Sequence, residues 1–195
     1  MLVRCIIVAA ALVAAGAKAA CPLEGTWDTG FTTENGQTHL RLVHTFDCSG
    51  HTVLKAYFTA GQLLQGMAEV WERTGTYRIA GPSAAVPGAF DVDVTIEDHK
   101  VAYLDPKNIE FVRQGKRCGD PATTRVLMDV PLLGKDCDGV KMPQRGFIER
   151  GLAKIDGHRM IWSAYAGQKP VVIQAANETP RRETVLDEKR VFVRQ

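Results

Sequence analysis

The sequence predicts an all-β chain, with antiparallel strands closed as a barrel or folded as a sandwich. Three observations carry that prediction. Apolar residues recur with a period of two, clusters of turn-forming residues recur about every ten residues, and the cysteines fall into an even set once the first residues are set aside. Helical periodicity is scarce.

The elements follow in chain order. "MLVR", the apolar run "CIIVAAALVAA" and the small-x-small "AKA" read as a secretory signal over residues 1–19. A single domain over 20–195 then follows, exported to the periplasm or secreted. Lys18 stands where a lipoprotein signal carries a large aliphatic residue, so simple export is preferred over acylation of Cys21. "LEGTW" places Gly25 and Trp27 just before the first expected strand. "HLRLVHTF" sets Leu40, Leu42, His44 and Phe46 on one face, and "TVLKAYF" does the same for Leu54, Ala56 and Phe58. "TAGQLLQGMAEVWE" is the one helix-capable stretch, weakened by its two glycines. "GTYRIAG", "AFDVDVTIED", "KVAYL", "IEFVR", "TRVLMDV", "RMIWSAY", "PVVIQA" and "KRVFVR" read as further strands. "ENGQ", "DCSG", "AGPS", "LDPKN", "CGDP" and "KIDGH" read as the turns between them.

Charge narrows the partners. The chain has 24 Lys+Arg against 22 Asp+Glu. Arg4 and Lys18 leave with the signal, so the mature chain balances at 22 against 22. A neutral chain lacks the basic stripe that nucleic acid requires. No later segment is apolar enough to span a bilayer as a helix.

Of the five cysteines, Cys5 belongs to the signal. Cys21, Cys48, Cys118 and Cys137 remain, an even set that points to disulfides with three possible connectivities. Local pairing, Cys21 with Cys48 and Cys118 with Cys137, closes the shortest loops and is preferred.

Signatures of chemistry are missing. There is no metalloprotease, nucleophile-elbow, phosphate-loop or dinucleotide motif, and no Cys-x-x-Cys for zinc. His39 and His44 face opposite sides of one strand. "DCDG" reads as a turn rather than a calcium loop. Asp91 and Asp93 share a face that reads as solvated. The expectation is a protein without catalytic residues, bound metal or cofactor.

Two resemblances add to this. "LEGTW" resembles the Gly-x-Trp opening of lipocalins, which implies that Trp27 plugs a closed barrel end beneath Arg190 or Arg194. More broadly, the order of Gly-x-Trp, "RLVHTF", "RTGTYRIAG", "VPGAFDVDVT", "RCG" and "GKDC" resembles the repeat of the secreted Wnt antagonists named for being down-regulated by adenomatosis polyposis coli, and its bacterial single-domain relatives. That resemblance implies a lipocalin-reminiscent, disulfide-held β-barrel. Its implied partner is a hydrophobic small molecule or lipid, or a lipid-modified protein. One copy is present where the animal antagonists carry two, so Wnt antagonism is not part of the expectation.

A small barrel either fills its interior with side chains or holds one small ligand. The expected lining of an acyl-type site is His44, Phe46, Phe58, Trp71, Tyr77, Phe111 and Trp162, with His44 placed to hold a ligand carboxylate. The alternative is a protein-binding or inhibitor module, its barrel packed solid and its loops carrying recognition.

Overall fold

The computed structural model describes residues 21–34, 38–60, 67–137, 139–163 and 184–195. The expected signal and the "PVVIQA" strand lie outside these residues. In chain order the strands are β1 (Gly25–Glu34), β2 (Thr38–Phe46), β3 (His51–Ala60), β4 (Met67–Pro82) and β5 (Ala89–Tyr103). After them come helix α1 (Pro106–Arg113) and the short strands β6 (Asp129–Pro131), β7 (Asp136–Cys137) and β8 (Val140–Lys141). The chain finishes with β9 (Ile148–Asp156), β10 (Arg159–Ser163) and β11 (Leu186–Arg194).

Eight strands close a ring. β1 through β5 pair in sequence, β5 pairs β9, and β9, β10 and β11 pair on to β1, all antiparallel. The edges a sheet would leave open are thereby removed. β6 continues beside β5 where β9 stops, pairing Val101 with Val130. Alternation determines what faces inward. Leu40, Leu42, His44 and Phe46 of β2 are buried, as are Thr52, Leu54 and Ala56 of β3. Trp27, Met160, Trp162 and Phe192 complete the same core.

β4 and β5 each run longer than the sequence suggested. β5 takes in both "AFDVDVTIED" and "KVAYL". A bulge opposite Thr74 and Gly75 changes which residues of β5 face the core, from Val92 and Val94 to His99, Val101 and Tyr103. Gly75 has a steric reason to be glycine, because a Cβ there would lie 2.0 Å from the Thr95 carbonyl oxygen.

Several expectations need correction. The helix-capable stretch from Thr59 to Glu72 ends as β4, whose Glu69, Trp71 and Arg73 alternate inward. Residues 61–66 lie outside the described set. "IEFVR" is helix, not strand: Asp105 caps α1 by accepting from the Lys107 amide at 2.9 Å, and Pro106 opens its first turn. Of "TRVLMDV", only Asp129 and Val130 enter a strand. Trp27 lies within the first strand rather than before it. β9 carries no strand expectation at all.

The two ends differ. At one end the Trp27 indole is fully buried and donates to the Leu23 carbonyl at 2.7 Å. Arg194, its cross-strand partner, lies 4.4 Å from the ring centroid, and donates to the Pro22 carbonyl at 2.9 Å. Of the two arginines expected there, Arg194 takes the place, while Arg190 pairs with Asp187. Cys21 and Cys48 pair at this end with Cα atoms 5.7 Å apart. At the other end, α1 and the strap from Cys118 to Cys137 close over the barrel, that pair having Cα atoms 4.9 Å apart. Both spacings suit disulfides, and such bonds suit an oxidising compartment. Among the described residues, no helix is long and apolar enough to cross a membrane.

Candidate functional site

Two places could bind something: the barrel interior and the rim stapled by Cys118 and Cys137. Six of the seven expected liners come from the barrel strands. His44, Phe46, Tyr77 and Trp162 form one aromatic group, with His44 and Phe46 centroids 4.0 Å apart and His44 and Trp162 5.1 Å apart. Phe46 meets the Tyr77 ring edge-on at 5.0 Å. Phe58 and Trp71 form a second group, 6.4 Å apart. Phe111 is the exception. It sits on the outer face of α1, 41 % exposed, because the helix turns Ile109 and Val112 inward instead.

Between the aromatic groups lies a charge pair absent from the expected site. Arg73 of β4 donates to the Glu149 carboxylate of β9, and both side chains are buried. Beside Arg73 in the paired strands stand Leu54 and His99. Burial, and then the neighbouring Arg73 charge, lower both His44 and His99 from 6.5 to about 3. Both imidazoles are therefore neutral at physiological pH. Burial pushes the Glu149 carboxyl up, and Arg73 opposes that shift. His44 shares a hydrogen bond of 2.9 Å with Thr52, whereas neither ring nitrogen of His99 has a partner among the described residues. A neutral His44 engaged with Thr52 is poorly suited to hold a ligand carboxylate.

The interior is also tight. The gap bounded by Leu54, Ala56, Trp71, Arg73 and His99 has no room for a water-sized sphere. Toward the strap, Glu69 accepts from the Trp71 indole at 2.9 Å and from Arg117 at 3.3 Å. The Tyr103 hydroxyl donates to the Cys118 carbonyl at 2.8 Å, and burial raises its pKa. Polar side chains thus tie the mouth of the barrel to the strap.

The rim, unlike that gap, is open. A groove of about 520 Å³ lies between the "CGDP" turn and Lys135 and Asp136, with Cys118, Val112 and Gly115 along it. That volume falls within the ordinary range for binding pockets. Gly119 shapes one wall. Its φ is 138°, and a Cβ there would lie 2.6 Å from the Thr124 hydroxyl and 3.0 Å from Val112. Lys135 and Asp136 are exposed and have no ion-pair partner among the described residues. "DCDG" contributes β7 and the turn to β8 (Asp138 lies outside the described residues).

Asp91 and Asp93 do not form a solvated face. Asp93 is buried and pairs with Arg78 at 2.6 Å, and one oxygen of Asp91 is shielded from solvent. Among the described residues no cluster of His, Cys, Asp or Glu could hold a metal ion. Arg73 and Glu149 escaped the sequence reading, though the Glu69, Trp71, Arg73 alternation could have flagged the arginine. Comparison of the sequence with models of known protein families and with curated proteins finds no match.

Proposed function

We propose that the chain is a non-catalytic binding module whose recognition surface is the stapled rim, and that its partner is a polypeptide. The groove of about 520 Å³ carries this reading. Its walls present Lys135 and Asp136 side by side, charges of both signs that suit a peptide's backbone and mixed side chains. Arg117 and Asp120 add a further charge of each sign to that lining. Inside the barrel, an acyl chain would have to displace aromatic packing and the Arg73–Glu149 pair. Such a displacement leaves charges buried and unpaired, which is strongly unfavourable. The lipid expected from the family resemblance therefore finds less support in the interior than a peptide finds at the rim.

Panning a displayed peptide library against the chain, with both disulfides formed, tests the reading. Selected peptides are expected to lose binding to Lys135→Glu and to keep it with Trp162→Ala. Uptake of an environment-sensitive fatty acid, with affinity rising with chain length and a cutoff moved by Trp162→Ala, would overturn the rim reading and restore the interior site.

A further inference from the structure

Away from the groove, the outer face of β1, β2 and β3 carries an aromatic side chain that the backbone turns out of the core. Alternation from the buried Trp27 would point Phe31 inward. One extra residue between Asp28 and Phe31 reverses that, so Phe31 stands opposite Arg41 on the outside of the barrel. This bulge is fixed in place. The Gly30 amide donates to Asp28 at 2.8 Å with Gly30 at a φ of 63°, and the Leu42 amide donates to the Thr29 hydroxyl at 2.9 Å. Phe31 is left 41 % exposed, so burial within its own chain does not account for it.

Strand register joins Phe31 to its neighbours. Phe31, Arg41 and Tyr57 stand directly opposite one another on three adjacent strands. The Arg41 guanidinium lies 6.0 Å from the Phe31 ring centroid and 5.8 Å from that of Tyr57. Asp28 accepts from Arg41 and cancels its charge. The adjacent outward row is Asp28, Val43 and Lys55, and Lys55 pairs with Glu72 at 3.0 Å. These two rows, with Glu72, carry two bases and two acids, so no surplus of either sign draws nucleic acid or an anionic membrane to them.

Each row is complementary to its own reverse. Ring, guanidinium, ring reads the same from either side, and acid, apolar, base reads as its opposite. A two-fold axis running along β2 between two copies of the chain performs that reversal. It sets Phe31 over Tyr57 of the second copy, Asp28 over its Lys55, and Val43 over its Val43. Arg41 meets Arg41 on the axis, each paired with its own Asp28 and flanked by rings that favour a cation. Aromatic and arginine side chains at the centre of a face with charge at its margin have the composition of an interface hot spot.

We propose that the outer face of β1, β2 and β3 pairs two copies of this chain about a two-fold axis along β2, an interface in which both copies use the same residues. The assay is analytical ultracentrifugation of the full chain with both disulfides formed. A contact of three strands is small for a specific interface, so the dimer is expected to populate at about 10 to 100 µM chain. Phe31→Ser removes a ring that its own chain leaves exposed. Its thermal midpoint should hold while its dimer affinity falls about a hundredfold or more, because the contact occurs twice per dimer. Val43→Cys places a thiol on the axis and should crosslink to a second copy under mild oxidation. Lys55→Cys, off the axis, should crosslink far more slowly, since its thiol faces Asp28 of the second copy. Lys135→Glu, which tests the groove, should dimerise as the parent does, so this proposal and the peptide reading fail separately. A parent chain that stays monomeric up to about 500 µM would overturn the proposal. So would a dimer that Phe31→Ser leaves intact, or faster crosslinking in Lys55→Cys than in Val43→Cys.

Discussion

Mild acid should weaken this barrel through its two interior histidines. His44 and His99 are 5 % and 0 % exposed, and both are lowered from 6.5 to about 3. In the unfolded chain each takes a proton near its ordinary pKa, while in the folded barrel each stays neutral until far lower pH. The unfolded state therefore binds more protons between these limits, and stability falls as pH drops through the window. Above the ordinary pKa neither state is protonated and the effect vanishes. At about 1.4 kcal/mol per tenfold, each histidine costs on the order of 2–3 kcal/mol by about pH 4.5, and the pair on the order of 5 kcal/mol. That is comparable to the whole margin of a small domain. Glu149, raised by burial, works in the opposite sense and trims the loss. Asp28 and Glu72, both lowered, lose their contribution mainly below this window. Urea denaturation at a series of pH values from about 4.5 to about 8 measures the slope, which linkage ties to proton uptake. His99→Leu removes a group without hydrogen-bond partners and should flatten the slope by about half at little cost near neutral pH. His44→Gln should remove much of the remainder. Equal slopes in the parent and both variants would refute this electrostatic account of the interior.

Three further outcomes follow from the packing. Arg73→Met alone should cost about 3–5 kcal/mol in denaturant midpoint experiments because it strands Glu149, whereas Arg73→Met with Glu149→Leu should recover most of that loss. Trp27→Ala should cost about 3–5 kcal/mol, and Arg194→Ala about 1 kcal/mol through the cation–π contact; near-equal melting of parent and Trp27→Ala would remove that end as a structural plug. Gly75→Ala should cost more than about 2 kcal/mol, since its Cβ meets a backbone oxygen that cannot rotate away, and unchanged thermal melting would contradict the bulge geometry.

The legible parts of this fold are those whose inward faces are apolar. β2 announced itself through Leu40, Leu42 and Phe46, and its one polar member, His44, was placed by the same alternation. β9 was silent because its inward residues begin with Glu149, Gly151 and Ala153 and reach a large apolar one only at Ile155, while the buried Leu152 falls out of phase with them, so no period of two emerges. β1 was masked by its run of threonine and glycine. "IEFVR" alternates like a strand over five residues, and only Asp105 and Pro106 ahead of it mark the helix start. The disulfide pairing could be anticipated from loop length alone, whereas the Arg73–Glu149 contact joins residues 76 positions apart, a separation that local pattern does not report.

Gly151 and Ala153 of β9 leave room for side chains from the neighbouring strands. Trp162 lies over Gly151, where a Cβ would come within 3.1 Å of its ring. The wall that lacks bulk thus receives the indole from its neighbour, and Arg73 reaches across to Glu149 on the same wall. Large side chains from β2, β4 and β10 occupy volume that β9 leaves free. Widening that wall would reverse the logic: Trp162→Ala removes the indole above Gly151 and opens space beside His44 and Phe46. A barrel built to hold a ligand would gain affinity or longer reach from that change. This one should instead lose stability by about 3–5 kcal/mol without acquiring uptake of a fluorescent fatty acid. Uptake appearing in Trp162→Ala and already measurable in the parent would show that the side chains yield to a guest. Absence of uptake in both, alongside a lowered midpoint, is the result expected of a barrel whose packing holds the rim in place.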